Sequence, residues 1–349
     1  AAPRTFGRAM GVGGSVEISQ SLPWWGTLEA RTAVARAEAD ATSDDLDALR
    51  LSLAALARGD LSDWVYVRRA LDVNAANQAV LTELRNTARI RFATGQVPQE
   101  DVLQADVERA LLRAQRLELS REQSTIQARM NALLDRDPHS PLPVPADLPV
   151  PTSLPAEELL AQRALTHPQL QMLAAQERTA TAQEQLAEKQ RFPKFGVSAG
   201  YNSMWADPAM RPMIGISISI PLDQGKYRAE IDAARAEAHR AASSLENARA
   251  SLLADVAAAY ASVSQAAQSL ALYRDELVPL SRSTLEVAQA EYSSGRGDFL
   301  NVLTAEQHRL GTELTLARLQ SQYYERLANL NRVTAGGLLT LPAAEEEVP

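Results

Sequence analysis

Alternating apolar and polar residues predict β-strands in two short regions of the chain. Residues 11–22 place Val12, Val16 and Ile18 at even positions, while serines and a glutamate occupy the odd positions from 15 onwards. Residues 195–222 contain two further runs of the same kind, the second with an isoleucine at every other position. A period of two puts the apolar side chains of a strand on one face. We therefore expect strands with one apolar face in both regions.

Two far longer regions predict helical hairpins. Residues 27–135 and 226–335 are rich in alanine, leucine, arginine and glutamate, which favour helices. Each region breaks once, at 92–101 and at 292–301, so each is expected to form two antiparallel helices joined at a tip. A continuous helix from 27 to the first tip would be roughly 100 Å long, at a rise of about 1.5 Å per residue.

The two tips share a sequence pattern at an offset of 200 residues, which indicates a duplicated chain. An aromatic residue, a glycine and a Val-Leu pair recur at this offset. These residues are Phe92, Gly95, Val102 and Leu103 in the first copy, and Tyr292, Gly295, Val302 and Leu303 in the second.

Apolar residues spaced alternately by three and four predict a coiled-coil seam along the second arm of each hairpin. The expected seam in the first hairpin is Leu103, Val107, Ala110, Ala114 and Leu117. The expected seam in the second is Leu303, Leu310, Leu314, Ala317 and Tyr324, with Gln307 as its weak position.

Proline and glycine divide the rest of the chain. Segment 137–168 begins with a proline-rich linker and ends in a short helix, and 169–192 is predicted to be helical. Segment 336–349 follows two glycines and is expected to be a disordered tail. Gly59 is expected to kink the first long helix locally, and Pro279 the second.

Composition excludes several classes of function. The net charge is -8 and there is no cysteine, so a basic nucleic-acid surface, disulfides and thiolate metal sites are not expected. No run of about 18 apolar residues predicts a transmembrane helix. The four histidines are scattered, and nothing resembles a catalytic triad, so we expect no enzyme, cofactor or metal site. The chain opens on Ala1-Ala2-Pro3, which suggests a processed or truncated product.

The order of these features resembles the TolC family of outer-membrane channels. Besides the tips, the resemblance is carried by the strand-to-helix junctions Ile18-Ser-Gln-Ser-Leu-Pro23 and Ile218-Ser-Ile-Pro-Leu222. An asparagine near each repeat end, Asn131 and Asn331, adds to it. The family implies a mainly α fold with β-strands, a TolC-like α/β-barrel. In that fold a homotrimer joins membrane β-barrel strands to long coiled-coil helices, and segment 137–168 belongs to an equatorial belt.

The resemblance implies a passive export duct that runs across the periplasm and outer membrane of a Gram-negative bacterium. Its implied partners are a periplasmic adaptor, an inner-membrane pump, with the RND type favoured, and outer-membrane lipid. An exit duct for type I protein secretion is an alternative in the same family. A periplasmic coiled-coil adaptor or scaffold is an alternative of a different class. The cargo and the pump class stay open.

The resemblance also assigns roles to residues. Adaptor docking falls on the tip residues Phe92, Gly95, Gln96, Val97, Tyr292, Gly295, Arg296 and Gly297. The periplasmic gate falls on Asp101, Asp298, Asn301 and Thr304, although two of these positions carry Asn and Thr where the family has aspartate. Asp101 reads equally well as a carboxylate stabilised by a helix N-terminus. Trp24 and Trp25 suit a membrane interface, or else they pack against the belt.

The first repeat departs from the family pattern. The second repeat has a helix and a strand, at 169–191 and 195–202, that the first repeat lacks before Gly11. A barrel built from such chains would be short of one strand per chain. Either the missing elements lie upstream of the present sequence, which we expect, or the gene is truncated and its product cannot form a sealed pore.

Overall fold

The computed structural model describes residues 14–143, 148, 150–151, 153–203, 209 and 211–339. The chain is mainly helical with three strands in this described part, as predicted. A π-helical turn, Tyr273–Leu277, separates α5 from α6. The elements are β1 (Ser15–Leu22), α1 (Thr27–Ala93), α2 (Gln99–Leu133), α3 (Glu157–Ala164), α4 (Pro168–Gln190), β2 (Lys194–Asn202), β3 (Pro212–Ser219), α5 (Gln224–Leu272), α6 (Val278–Ser293) and α7 (Phe299–Val333).

The chain divides into two compact units. The first contains the described residues up to Leu46 and residues Pro168–Arg249, hence the sheet, α4 and the first parts of α1 and α5. The second contains Asp47–His167 and the described residues from Ala250, hence both tips and α2, α3, α6 and α7. None of the helices in the described ranges has a stretch both long and apolar enough to span a bilayer.

The sheet in the first unit exposes an apolar face. Its order is β1-β2-β3 and both pairings are antiparallel, so Ile18, Ala199 and Ile214 lie side by side. Ile18 is 74% exposed and Ile214 is 90% exposed. The opposite face carries serine and glycine. There Gly196 faces Ser217, whose hydroxyl would have to rotate away from a Cβ at this position.

The duplication predicted from the tips extends along the second arms. α2 and α7 each have 35 residues, and their ends are offset by the same 200 positions. Asn131 and Asn331 are both buried near these ends. The Asn131 amide donates hydrogen bonds to the carbonyls of Pro138 and Ser140. Asn131 therefore holds the chain segment that follows its hairpin.

The segment after α7 is ordered for four residues by Asn331. Its side-chain oxygen accepts hydrogen bonds from the backbone N–H groups of Leu338, at 2.7 Å, and Leu339, at 3.1 Å. The Arg58 guanidinium donates to the Leu339 carbonyl. The prediction of disorder is therefore wrong for Gly336–Leu339, because a buried side chain satisfies their backbone. Residues 340–349 lie outside the described part, as do 11–13.

The seam predicted for α2 is wrong. Leu103, Val107 and Leu117 are 55%, 57% and 74% exposed, and Ala110 and Ala114 are exposed as well. α2 instead buries a ridge at every seventh residue: Ala105, Leu112, Leu119 and Ile126. This helix carries two apolar ridges, and spacing alone does not reveal which one faces the bundle. In α7 the predicted seam is buried at Leu303, Ala317 and Tyr324 and half-buried at Leu310 and Leu314.

The two predicted helix breaks differ in outcome. α1 continues through Gly59, and the local kink expected there stays a prediction. The serine at position 62 donates its hydroxyl to the Gly59 carbonyl, within an unbroken helix. Pro279 does disturb its helix, because the π-helical turn ends two residues before it. Proline lacks an N–H and its ring clashes with the preceding turn, which a wider turn accommodates.

Candidate functional site at the hairpin tips

The first tip is a tight glycine turn between α1 and α2. Gly95 has φ +72°, a left-handed conformation that glycine adopts without steric cost. Its N–H bonds to the Phe92 carbonyl at 2.9 Å, and the Gln96 N–H bonds to the Arg91 carbonyl at 2.9 Å. This pair of bonds is a Schellman ending, which satisfies the last carbonyls of α1. The local sequence therefore dictates the reversal.

The second tip repeats this geometry between α6 and α7. Gly295 has φ +75° and its N–H bonds to the Tyr292 carbonyl at 3.0 Å. The Arg296 N–H bonds to the Glu291 carbonyl at 2.9 Å. At Gly297 a Cβ would approach the Glu291 Cβ to 3.0 Å, so this position also requires a very small residue. The expected glycine reversals are thus present in both repeats.

The two tip aromatics differ in burial. Tyr292 is 3% exposed and packs edge-on against Phe299, with ring centroids 5.5 Å apart. Phe92 is 43% exposed. Only Tyr292 therefore packs beneath its tip, although the two aromatics occupy equivalent positions in the repeats. The repeat position that corresponds to Phe299 is Gln99, so Phe92 has no equivalent aromatic partner.

Three side chains join the two hairpins next to the tips. Arg91 of α1 donates a hydrogen bond to the Tyr292 carbonyl at 2.6 Å, and its guanidinium lies 4.6 Å from the centre of the tyrosine ring. The Tyr292 hydroxyl donates to a carboxylate oxygen of Asp101, in the first turn of α2, at 3.3 Å. We call Arg91, Tyr292 and Asp101 the tip tie. It connects α1, α2 and α6.

Burial sets the protonation of the tip tie. It raises the pKa of Asp101, while the hydrogen bond from Tyr292 opposes this rise. Burial also raises the pKa of Tyr292, and the neighbouring Asp101 carboxylate raises it further. Tyr292 therefore keeps its proton and remains the donor at neutral pH.

The four predicted gate residues have different surroundings, and Asp298 lies near enough to Asp101 to raise its pKa. Asp101 is part of the tip tie. Asp298 precedes α7 in an extended conformation and makes no side-chain capping bond. Asn301 and Thr304 lie exposed on α7. Thr304 lines an open groove of about 360 Å³ with Leu103 and other residues of α2 and α7. Within the described ranges no three acidic or histidine groups are arranged to hold a metal ion.

A buried charge network was missed by sequence reasoning. Glu306 is 2% exposed and pairs with Arg309 at 2.9 Å, and Arg309 also pairs with Glu313 at 3.0 Å. Arg309 donates to the Asn77 side chain of α1, and Arg282 of α6 pairs with Glu313. The sequence does show opposite charges three and four residues apart, at Glu306, Arg309 and Glu313, which indicates ion pairs along α7. Such pairs normally lie on a solvated face, so the sequence did not show that they are buried.

The aromatic residues at the end of β1 form a cluster in the first unit. Trp24 stacks on Phe192 with ring centroids 5.0 Å apart and meets Trp25 edge-on at 5.1 Å. Phe195, the second residue of β2, lies 6.3 Å from Trp24. Trp25 is 76% exposed. The placement of Trp24 and Trp25 at a membrane interface stays a prediction.

Comparison with known proteins identifies the relatives of this architecture. A family model described as "Outer membrane efflux protein" matches residues 159–336. The solved structure of the outer-membrane channel OprN is 24% identical over 92% of this chain and 74% of its own, with a TM-score of 0.81. VceC from Vibrio cholerae is 19% identical over 94% and 80%, with a TM-score of 0.80. A comparison with curated proteins finds no match.

A membrane protein from Pseudomonas aeruginosa has a similar structure as well. It is 18% identical over 93% of this chain and 81% of its own, with a TM-score of 0.83. At these identities the structural matches establish a shared fold. The family model, which covers half of the chain, establishes the family.

The raised pKa of Asp101 predicts a dependence of stability on pH. Because its pKa in the folded chain lies above 3.8, folding takes up a proton in this range, so stability falls as pH rises through it. Asp101→Asn keeps an acceptor for the tyrosine hydroxyl but cannot titrate. The melting temperature of the wild type should therefore fall, relative to this variant, as the pH rises from 3.8 through the acidic range. Parallel melting curves in detergent across this range would contradict the assignment.

Proposed function

Because this chain belongs to the outer membrane efflux protein family, we propose that it is the outer-membrane channel of a tripartite export system. It is an outer-membrane protein that extends into the periplasm. In our proposal it forms a passive duct that receives cargo from an inner-membrane pump, with the RND type favoured, through a periplasmic adaptor. The observation that carries the proposal is an apolar sheet face that no described residue covers, in a chain that also contains duplicated helical hairpins.

The sheet supports insertion into lipid and closure by further strands. Its apolar face is exposed, and β1 and β3 each pair only with β2 among the described strands. An unpaired strand edge costs several kcal/mol per exposed polar group in hydrocarbon, so membrane sheets close into barrels. Three strands are too few to close alone. Strands from other copies of the chain would complete the barrel.

Two exposed helix ridges support a closed ring of copies. α2 exposes Leu103 and Val107 roughly opposite its buried ridge, and α6 exposes Leu280 (63%) and Val287 (58%) in the same way. Two residues along a helix correspond to about 200° around its axis. A contact between two different surfaces of identical chains is heterologous, and such contacts form a ring when the rotation between neighbouring chains closes. We propose a homotrimer in which the α2 ridge of one chain meets the α6 ridge of the next.

The tip tie supports a gate at the periplasmic end. It holds α1 and α2 of the first hairpin to α6 of the second, so the hairpins cannot separate at their tips while it is intact. We propose that Asp101 acts through this tie, and that Asp298, Asn301 and Thr304 lie along the opening path. Breaking hydrogen bonds in a partly buried site is a modest cost, about 1–3 kcal/mol for each bond. A docking partner can supply that energy.

The exposed tip residues are the proposed adaptor surface. Phe92, Gly95 and Gln96 are exposed on the first tip, with Val97 half-buried beside them. Gly295 and Arg296 are exposed on the second tip, with Gly297 half-buried. Tyr292 is buried, so it supports this surface by packing against Phe299 and does not contact the adaptor directly. The first tip therefore offers an aromatic ring to the adaptor and the second offers a cation.

The trimer is tested by mass measurement of the full protein in detergent. We expect a trimer for the wild type and for Val107→Leu, which keeps the ridge apolar. Val107→Glu should dissociate it, because a carboxylate would be buried without a partner. A stable monomer of the wild type would reject the proposal, and a trimeric Val107→Glu would reject the assigned contact.

The docking role of the tips is tested by Gly295→Val. Valine strongly disfavours φ +75°, so the tip should distort while the sheet and the exposed ridges remain intact. We expect export and adaptor crosslinking to be lost in cells, while the trimer still assembles. Gly95→Val should behave likewise.

Gly311→Val is the matched control for these tip variants. Gly311 lies within α7, and a Cβ there would meet no atom within 4 Å. We expect this variant to keep both export and crosslinking. If Gly295→Val also keeps both in full, the tips are ordinary turns and do not dock the adaptor.

A further inference from the structure

The distribution of lysine in this chain is strongly uneven. Of 35 basic residues, three are lysine and the other 32 are arginine. The lysines are Lys189, Lys194 and Lys226. All three lie where the strands of the sheet meet the helices of the first unit, at the last turn of α4, the first residue of β2 and the first turn of α5. Arginine, by contrast, occurs along the whole chain.

The structure brings the three lysines to one end of the sheet. Lys194 pairs in register with Ser219, the last residue of β3. Lys194 and Lys226 line one open cleft of about 290 Å³. The Lys189 side chain runs beside the turn between β1 and α1, where its Cε would lie 3.5 Å from a Cβ at Gly26. We call Lys189, Lys194 and Lys226 the lysine collar.

Apolar and aromatic side chains surround the lysine collar. Phe192, Ile220 and Leu222 line the cleft together with its two lysines, and Leu222 is 87% exposed. Trp24 stacks on Phe192, and the Arg191 guanidinium lies 5.1 Å from the centre of the Phe192 ring. Cations on flexible stems next to exposed apolar and aromatic groups are typical of the boundary between lipid chains and headgroups.

The charges of the collar are largely available. Lys189 and Lys194 form no ion pair within the described ranges. Lys226 lies 3.7 Å from Glu230 with more than half of its side chain exposed, and Asp223 also lines the cleft. Two carboxylates therefore oppose three lysines and Arg191, which leaves an excess of positive charge. The lysine ammonium is compact and has three donors, so it can follow a headgroup phosphate without a fixed geometry.

We propose that the lysine collar binds the phosphate groups of anionic phospholipids in the leaflet that faces the periplasm. This proposal rests on the proposed insertion of the sheet into the membrane. The acyl chains would lie along the exposed isoleucines of β3. The collar would contact the phosphodiester at the end of the sheet, where Lys194, the first residue of β2, reaches it from the serine face. The bound lipid would fix the height of the sheet in the bilayer.

The test uses the full protein in detergent, titrated with phosphatidylglycerol or phosphatidylcholine and observed by native mass spectrometry. The variant combines Lys189→Gln, Lys194→Gln and Lys226→Gln. Each lysine near an anionic lipid surface contributes roughly a factor of five, so phosphatidylglycerol should bind about 100-fold more weakly to this variant. The difference should shrink as salt is raised, because the charges are exposed. Phosphatidylcholine binding should be equal in both proteins.

The control variant removes three other exposed cations, by Arg68→Gln, Arg113→Gln and Arg136→Gln. It has the same net charge as the lysine variant and should bind phosphatidylglycerol like the wild type. Inorganic phosphate should not compete at concentrations at which the lipid binds. Equal lipid affinity in the lysine variant and the wild type would overturn the proposal, as would an equal loss in the control. Competition by inorganic phosphate would show an anion site without lipid recognition and overturn it too.

Insertion into phosphatidylcholine vesicles separates this proposal from the proposed function. The wild type and the lysine variant should insert equally, because the apolar face is unchanged. If the wild type does not insert into vesicles of any composition, the channel proposal fails and the lipid site fails with it. If both insert but phosphatidylglycerol shows no preference for the collar, the lipid site alone is refuted.

Discussion

The constraint on which this structure depends is an apolar sheet face that no described part of the chain covers. Ile18 on β1 and Ile214 on β3 are largely exposed. An aromatic cluster lies where β1 ends and β2 begins. Burying such a face in lipid is favourable, but the free strand edges must then be paired. Insertion and assembly are therefore coupled. The exposed apolar face agrees with the outer-membrane location of the family, and the unpaired strand edges support the proposed ring of chains.

The duplicated hairpins combine a buried charge network away from their tips with a partly exposed tie at the tips. Away from the tips, Arg309 joins α7 to α1 through a buried network that would be costly to break. At the tips, the tie of Arg91, Tyr292 and Asp101 is partly exposed and is made of few bonds. Local opening in proteins occurs where bonds are few and exposed. The proposed gate therefore lies where separation costs least.

The sequence was most informative where one local pattern decides the outcome. Alternating isoleucines predict the exposed strand face, and glycines with the same neighbours predict both tip turns, because each depends on backbone chemistry within a few residues. It was least informative about which neighbour a helix face meets. Leu117 and Leu119 are equally apolar, yet only Leu119 is buried. From sequence Glu306 is expected to be a solvated charge. In the structure it is buried because Arg309 pairs with it and in turn donates to Asn77. Phe92 and Tyr292 match in sequence but differ in burial because their partners differ.

The central claim, a duct held shut by the tip tie, is tested most directly by single-channel conductance in a planar lipid bilayer. The wild type should show low and infrequent conductance. A variant with Arg91→Gln and Tyr292→Phe loses the contacts that join the hairpins, and its conductance should rise several-fold and persist. Tyr260→Phe, the same change on α5 away from the tips, should behave like the wild type. Equal conductance in all three proteins, or none in any, would contradict the account.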